Sequence, residues 1–134
     1  MVLATANLEE TQRLDLKSLP GGYVEARRLT YGQKIQRRSM TSALTLKSQG
    51  KSKDFEGEMN MINLEATIFD FSKCIVAHNL EKEINQNTDQ VQTVPIDFNN
   101  KEDVKRLDPR VGEEIDEFLG KINNFDEEDS EEGN

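Results

Sequence analysis

Apolar residues recur at helical spacing between Gly57 and Leu80, the longest such pattern in the chain. Its main apolar positions follow one another at alternating three- and four-residue steps, which predicts a helix with one continuous apolar stripe. These positions are Met61, Leu64, Ile68, Phe71 and Ile75. Because so apolar a helix needs cover from water, we expect the rest of the chain to pack around it.

A second amphipathic pattern begins at Asp108-Pro109, where an aspartate cap followed by proline predicts a helix start. Its apolar positions repeat at steps of four and three residues: Val111, Ile115, Phe118, Ile122 and Phe125, with Leu119 beside them. This helix is the expected partner of the central one. Asn100 is also placed to cap a short helix through Leu107.

Alternation of apolar and charged residues on both sides of Pro20-Gly21-Gly22 predicts a β-hairpin, with Leu14 and Leu16 before the turn and Val24 and Ala26 after it. Proline suits the second position of a type II turn, and glycine suits the third, which requires a positive φ.

A helix is predicted to follow the hairpin, because Thr30 and Gln33 have the spacing of a capping box. It should run from Tyr31 to Ser48. A long polar connection is expected between Leu80 and Asn100, with a short strand considered at Val91–Ile96.

Together these elements predict a mainly helical α+β fold, with an N-terminal β-hairpin followed by three to four helices. A chain of 134 residues has room for one domain of ordinary size. We expect a flexible arm at 1–13, a single domain at 14–125 and a disordered acidic tail at 126–134.

Charge is distributed unevenly along the chain. The net charge is −9, but residues 1–53 hold ten Lys or Arg against four Asp or Glu, whereas residues 54–134 hold seven against twenty-two. This polarity favours partner steering or head-to-tail self-association and weighs against nucleic-acid binding. The chain has no apolar run of about 18 residues, so no membrane contact and an intracellular location are expected.

The most enzyme-like feature is the trio Asp70, Cys74 and His78, spaced at four-residue steps. On a helix, the first and third would stand about 12 Å apart along the axis, too far to share one ion. The chain has no other Cys or His. Its Gly21-Gly22 pair is not followed by the Lys-Ser or Lys-Thr of a phosphate-binding loop. We therefore predict a protein that is not an enzyme, with no cofactor and no metal.

Basic and apolar residues cluster around the hairpin exit and the first predicted helix. Such a cluster is most often a solvent-exposed surface with no binding role. The functional alternative is a patch that binds a partner protein. The candidate partner-binding residues are Tyr23, Arg27, Arg28, Tyr31, Lys34, Ile35, Arg37, Arg38, Met40 and Leu44.

The order of these features resembles a known family over roughly residues 14–122. The stretches concerned are LKSLPGGYVEARRLTYGQKIQRR, a central helix ending IVAHNL, and VKRLDPRVGEEIDEFLGKI before an acidic end. They are similar to the small tail assembly chaperones of long-tailed, siphophage-type bacteriophages. In that family a Leu-Pro-Gly hairpin leads to an L-[ST]-Y-G-x-[KR] helix start, and a Leu-Asp-Pro helix start recurs near the end.

The resemblance implies a non-enzymatic role in the host cytoplasm. Such a chaperone binds the long, helical tape-measure protein, keeps it soluble and assists the tail tube protein in polymerising around it. Many members are also made as a longer product by ribosomal frameshifting. The alternative is a structural tail or tail-completion component, or a small DNA-associated regulatory protein.

Overall fold

The protein has a mixed α+β fold, as a computed structural model shows, and the structure describes residues 2–48, 55–84 and 91–125. Within these ranges the strands are β1 (Gln12–Asp15), β2 (Tyr23–Ala26), β3 (Ile75–His78), β4 (Glu81–Ile84) and β5 (Gln92–Pro95). The helices are α1 (Tyr31–Ser48), α2 (Phe55–Cys74), α3 (Lys101–Lys105) and α4 (Pro109–Asn123). The predicted α+β class is confirmed.

The predicted β-hairpin is present, with β1 and β2 paired antiparallel so that Leu14 faces Val24. Its turn is the predicted type: Gly21 has a φ of +90°, and the Gly22 N–H donates to the Leu19 carbonyl at 2.9 Å. Gly22 itself lies against the Leu16 and Leu80 side chains, where a Cβ would be crowded. The hairpin turn is therefore seated on the body of the protein.

The start of α1 is also as predicted. The Gln33 side chain accepts from the Thr30 N–H at 2.9 Å, and the Gln33 N–H donates to the Thr30 hydroxyl at 3.3 Å. In this reciprocal capping box, the two backbone N–H groups of Thr30 and Gln33 both find acceptors at the helix start. The helix then contacts α2.

The prediction that the central helix continues to Leu80 is wrong, because α2 ends at Cys74. Ile75–His78 instead forms β3, which pairs antiparallel with β2 and makes the three-stranded order β1-β2-β3. Ile75 and Val76 are β-branched and favour a strand when a paired edge is available. Asp70 and Cys74 therefore do not share a helix face with His78.

The predicted helix starts near the end of the chain are confirmed. The Asn100 side chain caps α3 by accepting from two backbone N–H groups, and Asp108 caps α4, whose first residue is Pro109. The polar connection before them holds a second hairpin, β4 paired with β5, in place of one isolated strand. Residues 49–54, 85–90 and the acidic segment 126–134 lie outside the described residues.

The core is one cluster of buried apolar side chains, which joins residues as far apart in sequence as Leu16 and Ile122. Val24 and Ala26 enter it from β2, Phe71 from α2, and Ile115 and Leu119 from α4. As predicted, α4 packs against α2. The stripe of α4 is centred on Leu119, which is fully buried, while Phe118 and Phe125 are only partly buried.

Candidate functional site

The predicted partner-binding residues lie mostly on α1 and on the loop that precedes it. Their side chains differ in how far they are exposed to solvent. Arg28, Tyr31, Ile35 and Arg38 are exposed, while Tyr23, Arg27, Lys34, Arg37 and Met40 are partly buried. Leu44 belongs to α1, but its side chain lies outside the described part of the structure.

One stripe of α1 faces solvent. Tyr31, Ile35, Arg38 and Ser42 follow at steps of four, three and four residues, so they share one helix face. Tyr31 is 73% exposed and Ile35 is 44% exposed. We call these four residues the outer stripe of α1.

The opposite side of α1 is turned toward the protein. Met40 packs against the core cluster, and the Arg37 Nε donates to both carboxylate oxygens of Asp70, at 2.9 and 3.1 Å. The guanidinium of Arg37 also lies 3.8 Å from the centre of the Phe125 ring, a cation–π geometry. Arg37 therefore connects α1 to both α2 and the residues that follow α4.

Asp70 is only 1% exposed. Burial raises the pKa of its carboxyl to about 6, because removal from water disfavours the charged form more strongly than the neighbouring Arg37 favours it. Asp116 adds a smaller repulsive contribution to the same rise in pKa. This carboxyl consequently titrates above the ordinary range of aspartate.

Lys34 and the loop before α1 are tied to the end of α4. The Lys34 Nζ donates to the Asn123 carbonyl at 2.9 Å, where a cation complements the negative end of the helix. The buried Asn123 side chain accepts from the Leu29 N–H at 2.8 Å and donates to the Leu119 carbonyl at 2.9 Å. Asn123 thereby fixes where α1 begins relative to α4.

A cavity of about 270 Å³ lies beside the outer stripe. Arg28, Tyr31 and Lys34 form one side of it, Ile122 and Asn124 another, and residues 6–10 a third. Arg28 approaches Glu10 at 3.8 Å, and both side chains are about 60% exposed. Three of the predicted residues are thus brought together around one depression.

Tyr23 is placed apart from this group. It begins β2, four residues before Arg27, which corresponds to about 13 Å along an extended strand. Its ring lies 4.1 Å from the Arg13 guanidinium, and its N–H donates to Asn79 at 2.9 Å. The structure does not join Tyr23 to the outer stripe.

A larger cavity, of about 360 Å³, was not anticipated from the sequence. It lies between the hairpin turn at Leu19, strand β4 and the α3–α4 junction. On its wall the Lys82 ammonium pairs with the buried Asp103, and this hydrogen bond lowers the pKa of the aspartate. No local pattern could have indicated it, because its residues are far apart in sequence.

Glu114 is another residue whose role the sequence did not reveal. Its carboxylate accepts from the Lys17 and Ser18 N–H groups, at 2.8 and 2.9 Å, and from the Ser18 hydroxyl at 2.6 Å. These hydrogen bonds lower the pKa of Glu114. Glu114 therefore holds the hairpin on α4.

Chemistry at Cys74 and His78 has little support from their surroundings. Burial raises the pKa of the Cys74 thiol to about 11, which leaves it protonated and a poor nucleophile. Burial lowers the pKa of His78, whose Nδ1 accepts from the Leu80 N–H at 3.0 Å. Among the described residues, no three His, Cys, Asp or Glu side chains lie together as a metal site would require.

Comparison with protein-family models, curated proteins and solved structures finds no match to this chain. The helices in the described ranges include none with the length and apolar character needed to cross a membrane.

Proposed function

We propose that the protein is a non-enzymatic tail assembly chaperone that binds a tape-measure protein through the outer stripe of α1. The observation that carries this proposal is the exposure of Tyr31 and Ile35, one helical turn apart, on a helix whose other side is anchored. Side chains at such spacing suit a partner that is itself helical. Tape-measure proteins are long and helical, as the resemblance implies.

The composition of the stripe supports a helical partner. Tyr31 offers a ring and a hydroxyl, Ile35 an aliphatic surface, and Arg38 a charge at the third position. Aromatic residues and arginine supply much of the binding energy in protein interfaces. Basic residues beside the stripe would also speed encounter with an acidic partner.

The local motifs on which the resemblance depends have physical roles in this fold. Pro20 and Gly21 form the hairpin turn, Thr30 caps α1, and Asp108 caps α4. All three devices act on elements that orient α1: the hairpin leads into it, and α4 holds it through Lys34. This supports the family assignment as part of the proposal.

The test is co-expression with the tape-measure protein encoded in the same phage genome. We expect the tape measure to become soluble and to copurify with this chain, because exposed apolar helix surface is covered in the complex. Expression of the tape measure alone is the control. A tape measure that remains insoluble in the presence of this folded chain, with no recovered complex, would refute the proposal.

A further inference from the structure

The second hairpin of the protein has an open edge. Within the described ranges, β4 pairs only with β5, so its other side has no neighbouring strand. The Ile96 N–H donates to the Leu80 carbonyl at 3.0 Å, and hydrogen-bonded and non-hydrogen-bonded pairs alternate along an antiparallel ladder. The next pair, Glu81 with Pro95, is therefore a non-hydrogen-bonded one. This agrees with the lack of an N–H on Pro95.

The backbone groups of Glu81 and Glu83 consequently point away from β5. Glu83 lies opposite Thr93, two positions further along the ladder, and belongs to the same class of pair. The Arg106 Nη2, at the end of α3, donates to the Glu83 carbonyl at 3.1 Å, which agrees with a carbonyl directed outward. The open edge of β4 thus presents backbone donors and acceptors at two residues.

The cavity of about 360 Å³ lies against this edge. Residues 80–83 all line it, facing the hairpin turn at Leu19 and the α3–α4 junction. One wall is apolar, because Leu80, Ile96 and Val111 line the cavity and are each at most 9% exposed. Side chains alternate between the two faces of a strand. A strand added to β4 would therefore place one side chain over this apolar wall and its two neighbours on the opposite face.

Charge differs between the two faces of β4. Glu81 and Glu83 are exposed on the outer face, whereas Lys82 on the inner face pairs with the buried Asp103. In the described part of the chain, neither glutamate takes part in a salt bridge. Opposite charges directly across two strands attract, and like charges repel. An added strand is thus favoured when basic residues face the glutamates and an apolar residue stands between them.

The same two glutamates disfavour a second copy of this chain at the edge. If two β4 strands paired antiparallel about a twofold axis through these outward-facing residues, a glutamate would lie opposite a glutamate. Such like-charge pairs destabilise a sheet. A peptide with the opposite charge pattern is therefore the favoured occupant.

We propose that the open edge of β4 binds an extended peptide segment, in which an apolar residue stands between two basic residues, as an added antiparallel strand. The peptide backbone hydrogen-bonds to Glu81 and Glu83, its basic side chains pair with their carboxylates, and its apolar side chain enters the cavity beside Leu80. Arg106 covers one acceptor of the edge and so competes with the peptide. This surface shares no residue with the outer stripe of α1, and the proposal holds or fails independently of tape-measure binding.

The experiment is an NMR titration of the isotope-labelled full chain with the peptide acetyl-Thr-Lys-Leu-Lys-Thr-amide. We expect saturable shifts of the amide signals at residues 80–84 and 106–111. A matched peptide with N-methyl groups on both lysine amides keeps the side chains but loses two backbone donors, and should bind at least about tenfold more weakly. A peptide with serine in place of leucine should bind about fivefold more weakly.

Variants of the protein test the charge pattern. E81K combined with E83K should weaken binding at least about tenfold, because attraction across the strands becomes repulsion. The matched control, E9K combined with E113K, makes the same change in net charge at two exposed glutamates that do not line the cavity, and should bind like the wild type. R106A uncovers the Glu83 carbonyl and removes a cation, and should tighten binding about threefold.

Amide spectra of the free variants verify that each is folded. Equal affinity for the plain and N-methylated peptides, or equal losses in the two charge-reversed variants, would overturn the proposal. Weaker binding to R106A would do the same. Shifts centred on other residues, or no saturable shifts at about 1 mM peptide, would also overturn it.

Discussion

Helix α4 buries its apolar stripe, whereas helix α1 exposes Tyr31 and Ile35. In α4, Ile115 and Leu119 are fully buried, and Glu114 beside them accepts three hydrogen bonds from the hairpin loop. In α1, the partly buried side uses Arg37 and Lys34 to contact other elements, and the outer stripe faces water. Helix α4 therefore stabilises the fold, whereas α1 is anchored on one side and leaves its outer stripe available for a partner.

The largest contrast is expected between two isoleucine truncations. I115A removes a fully buried side chain and should lower the free energy of unfolding by about 2–5 kcal/mol, because it leaves a cavity in the core. I35A removes one that is 44% exposed and should cost less than about 1 kcal/mol. Urea unfolding of both variants measures the difference; equal losses would show that α1 is as much a part of the core as α4.

A smaller effect is expected at the junction of hairpin and α4. E114Q keeps the size of the side chain but removes its charge, and should lower the free energy of unfolding by about 1–3 kcal/mol at neutral pH. Because the pKa of Glu114 is lowered on folding, this contribution is present above the ordinary glutamate pKa and is lost as the pH falls. The exposed neighbour provides the control, E113Q, which should change stability little.

The anchor of α1 should depend on pH in the opposite direction. The pKa of Asp70 is raised to about 6, so the folded protein binds a proton more tightly than the unfolded chain between about pH 4 and 6. The stability of the wild type relative to D70N should therefore fall as the pH rises through this window, by up to about 3 kcal/mol. Urea unfolding at several pH values tests this; a relative stability that rises with pH would show that Arg37 outweighs burial.

Local features of the fold were predictable from the sequence. The turn at Pro20-Gly21 and the caps at Thr30 and Asp108 depend on residues within a few positions of one another, and all three are present. The stripe of α4 was equally visible because its apolar positions keep a helical period over the whole element.

Features that depend on distant partners were not predictable. The end of α2 at Cys74 and the strand that follows require β2 as a pairing partner, some fifty residues earlier in the chain. Glu114 and Asn123 have polar side chains on an amphipathic helix, and only the folded chain brings Ser18 and Leu29 to them. The same limit applied to the candidate site, where helical spacing alone did not show that Arg37 faces inward or that Tyr23 lies apart.

The outer stripe of α1 is tested most directly by the affinity of the purified chain for its proposed partner, the tape-measure protein. Y31S combined with I35S removes the two exposed apolar side chains of the outer stripe. V91S is the matched control, because Val91 is 74% exposed and stands just before β5 rather than on α1. We predict that the double variant binds at least about tenfold more weakly, a loss of about 1.4 kcal/mol, while V91S binds like the wild type. Unchanged affinity of the double variant, with its fold intact, would contradict the claim that the outer stripe of α1 is the binding surface.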